Sequence, residues 1–137
     1  MATRSLTAIL DSYGNEITTI YNQYDGYPSG YGVDLAEFLS EFIITEGITK
    51  NSISKKTANG MGCLAGQVIA HFKKYVGGIY LYPSNTRGMG TEYLYIVSPQ
   101  NSNIMIKFLR YDNNLYEEGF YGSPEEFIAK FKNENIY

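Results

Sequence analysis

The residues best suited to chemistry or recognition lie in one segment, residues 20–32, which reads Ile-Tyr-Asn-Gln-Tyr-Asp-Gly-Tyr-Pro-Ser-Gly-Tyr-Gly. It combines four tyrosines, three glycines, one proline and one carboxylate. Tyrosine rings stack and their hydroxyls form hydrogen bonds, whereas proline stiffens the backbone and glycine frees it. This composition is typical of a recognition loop and matches no known catalytic motif. The predicted ligand-binding residues of the segment are Tyr24, Asp25, Gly26, Tyr27 and Tyr31.

Two arginines extend the predicted binding site. Arg4 begins a predicted strand whose hairpin partner ends at Tyr24, so hairpin geometry predicts that Arg4 lies near Asp25. Arg87 lies in a loop with two glycines, where a guanidinium can fork onto a phosphate, a carboxylate or an acidic partner surface. A salt bridge to a local carboxylate such as Glu92 is the alternative for Arg87.

The Asp-Gly-Tyr-Pro part of the segment also fits a purely structural role. Asp25 would cap a turn, Gly26 would supply a positive φ, and Tyr27-Pro28 would fix the chain on the sheet. Substitution of Asp25 or Tyr27 separates the two interpretations. Loss of folding supports the structural role, whereas a folded but inactive protein supports a site.

Catalytic and metal-binding residues are scarce. His71 is the one histidine, and it is predicted to point away from the core on a helix that also contains Cys63. Eight residues separate the two, about 12 Å along a helix, which is too far for a direct pair. Cys63 is expected to be a buried or half-buried thiol. The adjacent glutamate pairs at 117–118 and 125–126 match no known metal-loop spacing. No catalytic residue, metal site or cofactor is predicted.

Composition limits the class of protein. The 137 residues, 44% of them hydrophobic, suit one domain spanning residues 1–137. Charged residues make up only 18%, while 14 tyrosines supply polarity that cannot all be buried. A net charge of −3 argues against binding of duplex nucleic acid. The single cysteine fits a reducing compartment. No signal peptide or membrane-spanning apolar run is seen, so a soluble, cytoplasmic protein with no membrane partner is expected.

Hydrophobic periodicity predicts a single α+β domain, with a mainly antiparallel sheet and about three helices packed on one face. In the last predicted helix, Ser123 as N-cap, Pro124 and Glu126 form a capping-box pattern. Residues 48–62 are predicted to be a loop, and residues 113–122 a loop or a weak strand. The predicted strands cover 4–10, 17–24, 79–82, 92–97 and 104–110, and the other predicted helices cover 33–46 and 63–76.

The amino-terminal third resembles a family of small uncharacterised proteins found mostly in bacteriophages and prophages. The resemblance rests on Ala2-Thr3-Arg4-Ser5 opening a strand, on Ile20-Tyr21, on Tyr24-Asp25-Gly26-Tyr27-Pro28, and on the later strand Glu92-Tyr93-Leu94-Tyr95. It covers residues 1–45 and that one later strand. Family members typically carry a Tyr-x-His-(Trp/Tyr/Phe)-Asp-Gly-Tyr-Pro segment, and here Gln23 stands in place of the histidine. Glutamine is compatible with recognition but not with general acid–base catalysis near neutral pH.

The resemblance implies a bacteriophage origin and an accessory role, and supplies no established activity. The sequence therefore predicts a phage accessory protein that acts by binding in the host cytoplasm. Its predicted partner is a small polar or nucleotide-like ligand to be sequestered, or a host defence protein to be inhibited. The alternatives are a carboxylate- and tyrosine-based hydrolase or transferase, or a component of virion assembly. Edge strands and exposed tyrosine are compatible with a homo-oligomer under any of these.

Overall fold

The computed structural model describes residues 3–48 and 56–134. In chain order the strands are β1 (Ser5–Leu10), β2 (Glu16–Asn22), β3 (Ile43–Thr45), β4 (Thr57–Asn59), β5 (Ile79–Tyr82), β6 (Tyr93–Gln100), β7 (Asn103–Asp112) and β8 (Leu115–Gly122). The helices are α1 (Val33–Leu39), α2 (Gly60–Phe72) and α3 (Pro124–Phe131), and a short π-helical turn (Pro28–Gly32) leads into α1.

Six of the strands form one sheet in the order β5-β2-β1-β6-β7-β8. Neighbours pair antiparallel, with the exception of β1 and β6, which are parallel. Strands β3 and β4 form a separate parallel pair. The predicted α+β class with a mainly antiparallel sheet is confirmed.

The main hydrophobic core lies between the sheet and all three helices, which pack on the same face as predicted. Alternation along β1 turns Thr7 and Ile9 toward the helices and Leu6 and Ala8 toward the other face. Both faces of β1 are fully buried. The core residues contributed by the helices are Val33, Leu35, Ala36, Leu39, Met61, Leu64, Ala65, Val68, Phe127 and Phe131.

The second face of the sheet is covered by a loop and not by a helix. Strands β5 and β6 run in the same direction, so the connection between them, residues 83–92, has to return along the length of the sheet. Met89 in this connection packs on a smaller apolar cluster formed by Leu6, Ala8, Tyr21 and Leu94. A single loop segment thus closes a second core.

Helix α1 is shorter than predicted. It ends at Leu39, and the segment Ile43–Thr45, predicted to be its last turn, is strand β3. There Ile43 N donates to Lys56 O (3.0 Å) and Ile44 N donates to Ser102 O (3.0 Å). Helical spacing of apolar residues is a weak local preference, and pairing with distant strands outweighs it.

Helix α2 begins and ends earlier than predicted, at Gly60 and Phe72. Cys63 is exposed on this helix, so the expectation of a buried or half-buried thiol was wrong. The earlier end leaves Val76, which was expected on the apolar stripe, 98% exposed. Lys73 Nζ donates to Gly77 O (2.7 Å) and to Ile79 O (2.9 Å), which folds the chain back into β5.

The carboxyl-terminal part follows local sequence rules closely. Residues 115–122 form strand β8, the stronger of the two alternatives left open. At α3 the capping box is confirmed, because Ser123 Oγ accepts from Glu126 N (3.1 Å) and Glu126 Oε1 accepts from Ser123 N (2.9 Å). No helix within residues 3–48 and 56–134 is long and apolar enough to cross a membrane.

Candidate interaction surface

The predicted recognition segment connects β2 to α1, and its backbone is tied to the sheet. Gly26 N donates to Thr3 O (2.9 Å), and the buried Tyr95 hydroxyl donates to Gly26 O (2.6 Å). Tyr31 N then closes the loop by donating to Asp25 O (2.8 Å). The backbone of the Asp-Gly-Tyr-Pro motif is therefore structural, as one of the two interpretations expected, while the Asp25 side chain is exposed.

The positive φ of this turn belongs to Asp25 (54°) and not to Gly26, which was expected to supply it. Gly26 is required for a different reason. A Cβ at position 26 would lie 2.8 Å from Ser5 Cβ, because the loop crosses directly over the start of β1. Glycine here permits close approach of two backbone segments.

Tyr31 belongs to the core, where only 6% of it is exposed. Its hydroxyl is hydrogen-bonded to that of Thr7 (2.8 Å), and its ring packs edge-on against Tyr95 (5.6 Å between centroids) and Phe72 (5.3 Å). Burial raises the pKa of Tyr31 to about 12, although the hydrogen bond with Thr7 lowers it. Tyr31 orders the loop from beneath and does not present a surface to a ligand.

Ser5 offers a test of how tightly this loop is packed. Its hydroxyl is buried and has no hydrogen-bond partner among the residues that the structure describes. We expect Ser5→Ala to leave the free energy of unfolding unchanged or to raise it by about 1 kcal/mol, because an unsatisfied polar group is removed. Urea denaturation measures the change.

Thr7→Val is the matched control for Ser5→Ala. It removes the hydroxyl that pairs with the buried Tyr31 hydroxyl, and should lower the free energy of unfolding by about 1–3 kcal/mol. Equal losses in the two variants would contradict the assignment of Ser5 as the unsatisfied group.

The structure places Arg4 beside the recognition segment. Its backbone carbonyl carbon would lie 3.0 Å from a Cβ at position 26, and Arg4 N donates to Glu92 Oε2 (2.7 Å). Glu92 N donates in return to Arg4 O (3.1 Å). Arg4, Tyr24 and Asp25 are therefore exposed at the same end of the sheet, where β1 begins and β2 ends.

Arg87 lies at the opposite end of the sheet, where β2 begins. Its guanidinium forks onto Glu16, with Nη2 2.8 Å from Oε1 and Nη1 3.3 Å from Oε2. The salt bridge considered as the alternative exists, but its carboxylate is Glu16 and not Glu92. The structure does not bring Arg87 together with the other predicted site residues.

Tyr24 belongs to an exposed apolar surface that sequence reasoning did not detect. Gln23 N donates to Gly78 O (2.8 Å), which places the Tyr24 bend beside the turn that leads into β5. On this turn and on the edge strand β5, large apolar side chains face solvent. We define the β5-edge surface as Tyr24, Tyr75, Val76, Tyr80 and Leu81; Val76 is 98% exposed and the others 45–63%.

The turn that displays this surface is well fixed. Lys73 Nζ lies 5.4 Å above the centre of the Tyr80 ring while it donates to the carbonyls of Gly77 and Ile79. The Tyr75 ring lies against Gly78, since a Cβ there would be 3.2 Å from its hydroxyl oxygen. Both glycines have positive φ (84° and 76°). The turn therefore holds Tyr75 and Val76 outward in a defined arrangement.

A cavity of about 300 Å³ adjoins the β5-edge surface. Three aliphatic side chains, one tyrosine and one lysine surround it, so it suits an apolar side chain next to a negatively charged group. The lining residues are Ile69, Lys73, Ile79, Tyr80 and Leu81. The Gly77-Gly78 doublet directly before a strand predicted an end of α2 at Val76. The structure ends α2 at Phe72, and the exposed Tyr75 and Val76 lie between that end and the doublet.

A different region of the protein surface, between α1 and α2, is acidic. Partial burial and the carboxylates of Glu37 and Asp25 raise the pKa of Asp34, while His71 lowers it. His71 is exposed, as predicted, and stacks on Phe38 with 4.2 Å between ring centres. Among the residues described, no group of three or more His, Cys, Asp and Glu is arranged to hold a metal ion.

A further cavity, of about 620 Å³, lies at the end of the sheet where β1 ends. Its lining mixes hydroxyl, amide and carboxylate groups with aliphatic side chains. The residues around it are Asp11, Ser12, Ile43, Ile44, Thr45, Glu46, Gly60, Met61, Pro99, Asn101 and Ser102. A cavity of this size accommodates a small molecule.

Comparison with protein-family models, curated proteins and solved structures gave no match to this chain.

Proposed function

We propose that this chain is a binding protein whose β5-edge surface contacts a partner protein. The proposal includes the accessory role in a bacteriophage that the sequence resemblance implies, with a host protein as the partner in the host cytoplasm. One observation carries it: five large apolar side chains are exposed on and around the edge strand β5, with Tyr80 and Leu81 on its two faces, next to a cavity that a partner side chain can enter.

The composition of the β5-edge surface is that of the centre of a protein interface. Tyrosines dominate such centres because each ring buries a large area, retains a polar hydroxyl and loses little conformational entropy. Three of the five side chains are tyrosines, and Val76 has almost no contact with the rest of the chain. Burial of one such side chain contributes about 1.5–3 kcal/mol, so a few of them support specific binding.

The chemistry of the partner follows from the charges around this surface. The chain has a net charge of −3, but Lys73 lies beside the β5-edge surface. A partner segment with an apolar side chain for the cavity and a carboxylate nearby would be complementary to both features. Electrostatic complementarity of this kind speeds association and excludes wrong partners.

Strand addition is the less favourable way to engage β5. Lys73 Nζ already occupies the carbonyl of Ile79 on this strand, and a lysine at an edge is a common protection against pairing with another strand. We therefore expect the partner to contact side chains rather than to extend the sheet.

Val76→Asp tests the proposal. A photo-crosslinking amino acid at position 75 identifies host proteins that touch the surface, and the captured protein is then purified and titrated against the chain. We expect Val76→Asp to weaken this binding at least tenfold, because a charge would be buried at the centre of the interface. The thermal unfolding temperature should not change, since Val76 is 98% exposed.

Leu115→Asp is the matched control. Leu115 is exposed to a similar degree as the β5-edge residues but lies on β8, at the other edge of the sheet. Its substitution should leave binding unchanged. Equal weakening by both substitutions, or a crosslink from position 115 and none from position 75, would contradict the proposal.

The 620 Å³ cavity favours a second candidate function, sequestration of a small polar ligand. Asp11 and Glu46 in its lining suit a neutral or cationic molecule better than the phosphates of the nucleotide-like ligand predicted from the sequence. Native mass spectrometry of protein purified from its host, before and after denaturation, distinguishes the candidates. A released small molecule supports sequestration, and a bound protein supports the β5-edge proposal.

A further inference from the structure

We propose that residues 83–92 form a releasable cover over an apolar face of the sheet, held shut by a latch between Glu16 and Arg87. Opening the latch frees the part of the cover that follows β5 from its hold on β2 and exposes the apolar cluster beneath it. This inference rests on a different part of the molecule from the β5-edge surface and does not depend on the proposed function.

The latch is a carboxylate that is buried and fully engaged. Only 3% of the Glu16 side chain is exposed, although Ile17 next to it is exposed. Both of its oxygens accept from the Arg87 guanidinium, and Oε2 also accepts from Asn85 N (2.5 Å) and from the Thr19 hydroxyl. Two of these three partners belong to the cover, so Glu16 is the residue through which β2 holds it.

The middle of the cover makes little contact of its own. Gly88 and Gly90 have positive φ (72° and 71°), and a Cβ at either position would meet no atom within 4 Å. Met89 between them is the side chain that packs on the apolar cluster. The glycines leave the backbone free to rotate, so the position of this stretch depends on its two ends.

The far end of the cover works as the hinge. Glu92 and Arg4 exchange two hydrogen bonds, and Tyr111 N donates to Glu92 O (2.9 Å). Thr91 is buried, and its hydroxyl lies 3.4 Å from that of Tyr116. These contacts anchor the cover to β1, β7 and β8, and none of them involves the latch.

Beneath the cover the sheet is apolar. The buried side chains there belong to Leu6, Ala8, Tyr21 and Leu94, flanked by half-buried Tyr82 and Ile96. This face would be exposed to water if the cover were absent. The cost of exposing it keeps the cover closed while the latch is intact.

Protonation of Glu16 is the condition that releases the latch. Burial alone would raise the pKa of Glu16. The hydrogen bonds from Arg87, Thr19 and Asn85 together lower it by more, so the net pKa lies below the ordinary value of 4.5. Arg87 is the charged group that faces it, whereas Thr19 and Asn85 are neutral. The stabilisation is therefore complete above pH 4.5 and is lost as the pH falls through the lowered pKa.

Hydrogen exchange measured by mass spectrometry tests the cover on the full chain. We expect Glu16→Gln at pH 7 to accelerate exchange in residues 84–90 at least tenfold, while amides of β7 and α3 stay as protected as in the unsubstituted chain. Arg87→Gln breaks the same ion pair by changing its partner in the cover, and it should give the same pattern of exchange. This second variant keeps the test valid if Glu16→Gln folds poorly. Glu118→Gln, at an exposed carboxylate 3.8 Å from Lys107 Nζ, is the control and should change nothing.

Two results would overturn the inference. One is unchanged exchange in residues 84–90 in both latch variants. The other is faster exchange of β7 in parallel with the cover, since that shows opening of the whole fold and not of one segment.

Discussion

Replacement of Phe127 by alanine lowers the free energy of unfolding by about 3–5 kcal/mol, the expected effect of emptying a fully buried aromatic site. Phe127 has no exposed surface and contacts four aromatic rings from β6, β7, β8 and its own helix. Three of these rings meet Phe127 edge-on and Phe131 is tilted against it, so they fill little of the space that the ring would leave. Urea denaturation followed by circular dichroism measures the loss.

Two comparisons show whether the loss comes from the cavity. Phe127→Leu keeps much of the volume and should lose about 1.5 kcal/mol or less. Tyr13→Ala removes a ring that is 88% exposed and should change the free energy of unfolding by less than about 0.5 kcal/mol. A loss of under about 1 kcal/mol for Phe127→Ala would refute the placement of α3 on the sheet.

Gly32→Ala is expected to lower the free energy of unfolding by about 1–3 kcal/mol through overpacking. The backbone at Gly32 is helical (φ −56°, ψ −48°), so alanine fits its conformation. A Cβ there would nevertheless lie 2.9 Å from Phe127 Cζ and 2.9 Å from the Tyr95 hydroxyl oxygen. Thermal and urea denaturation of the purified variant test the direction and the size of the change.

Gly66→Ala is the opposite case in the same protein. Gly66 lies in the exposed interior of α2, and a Cβ there would meet no atom within 4 Å. This substitution should raise the free energy of unfolding by about 0.5–1 kcal/mol, because alanine is the better helix former. If both glycine substitutions changed stability in the same direction, the steric account of Gly32 would fail.

The loss of stability caused by Gly32→Ala should also depend on the Phe127 ring, which the new Cβ would contact. In a Phe127→Leu background the side chain at 127 is smaller, so Gly32→Ala should lose less than it does alone. A double-mutant cycle measures this coupling, and we expect about 0.5–1.5 kcal/mol. Strict additivity would show that the two residues do not touch.

The location of the β5-edge surface has a simple structural cause. Helix α2 ends at Phe72 and the chain turns back at Lys73, so no helix covers the outer part of β5. Leu81 faces the same side as the buried Ile20 but lies beyond the reach of α2, and it stays exposed. The early helix end, set by a lysine and two glycines, therefore creates the surface on which the proposed function rests.

Several features of this protein follow from the sequence alone, because they depend on contacts between neighbours in the chain. Alternation of apolar residues located β1 and β7, and the Ser123–Glu126 capping box located the start of α3. The α+β class follows from the order of these elements. Each of these signals is a short-range preference that needs no knowledge of the rest of the fold.

The tertiary structure alone decided which predicted site residues face solvent and which partners they have. Arg87 pairs with Glu16, 71 positions away. Tyr31 is buried against Thr7 whereas Tyr24 is exposed, although the sequence predicted both as ligand-binding residues of one segment. The end of α1 was likewise set by strands that lie far away in the chain. A side chain is buried or exposed according to which distant segments pack on it. Which segments pack there depends on the interaction energies of the whole core, and a local sequence pattern carries no information about them.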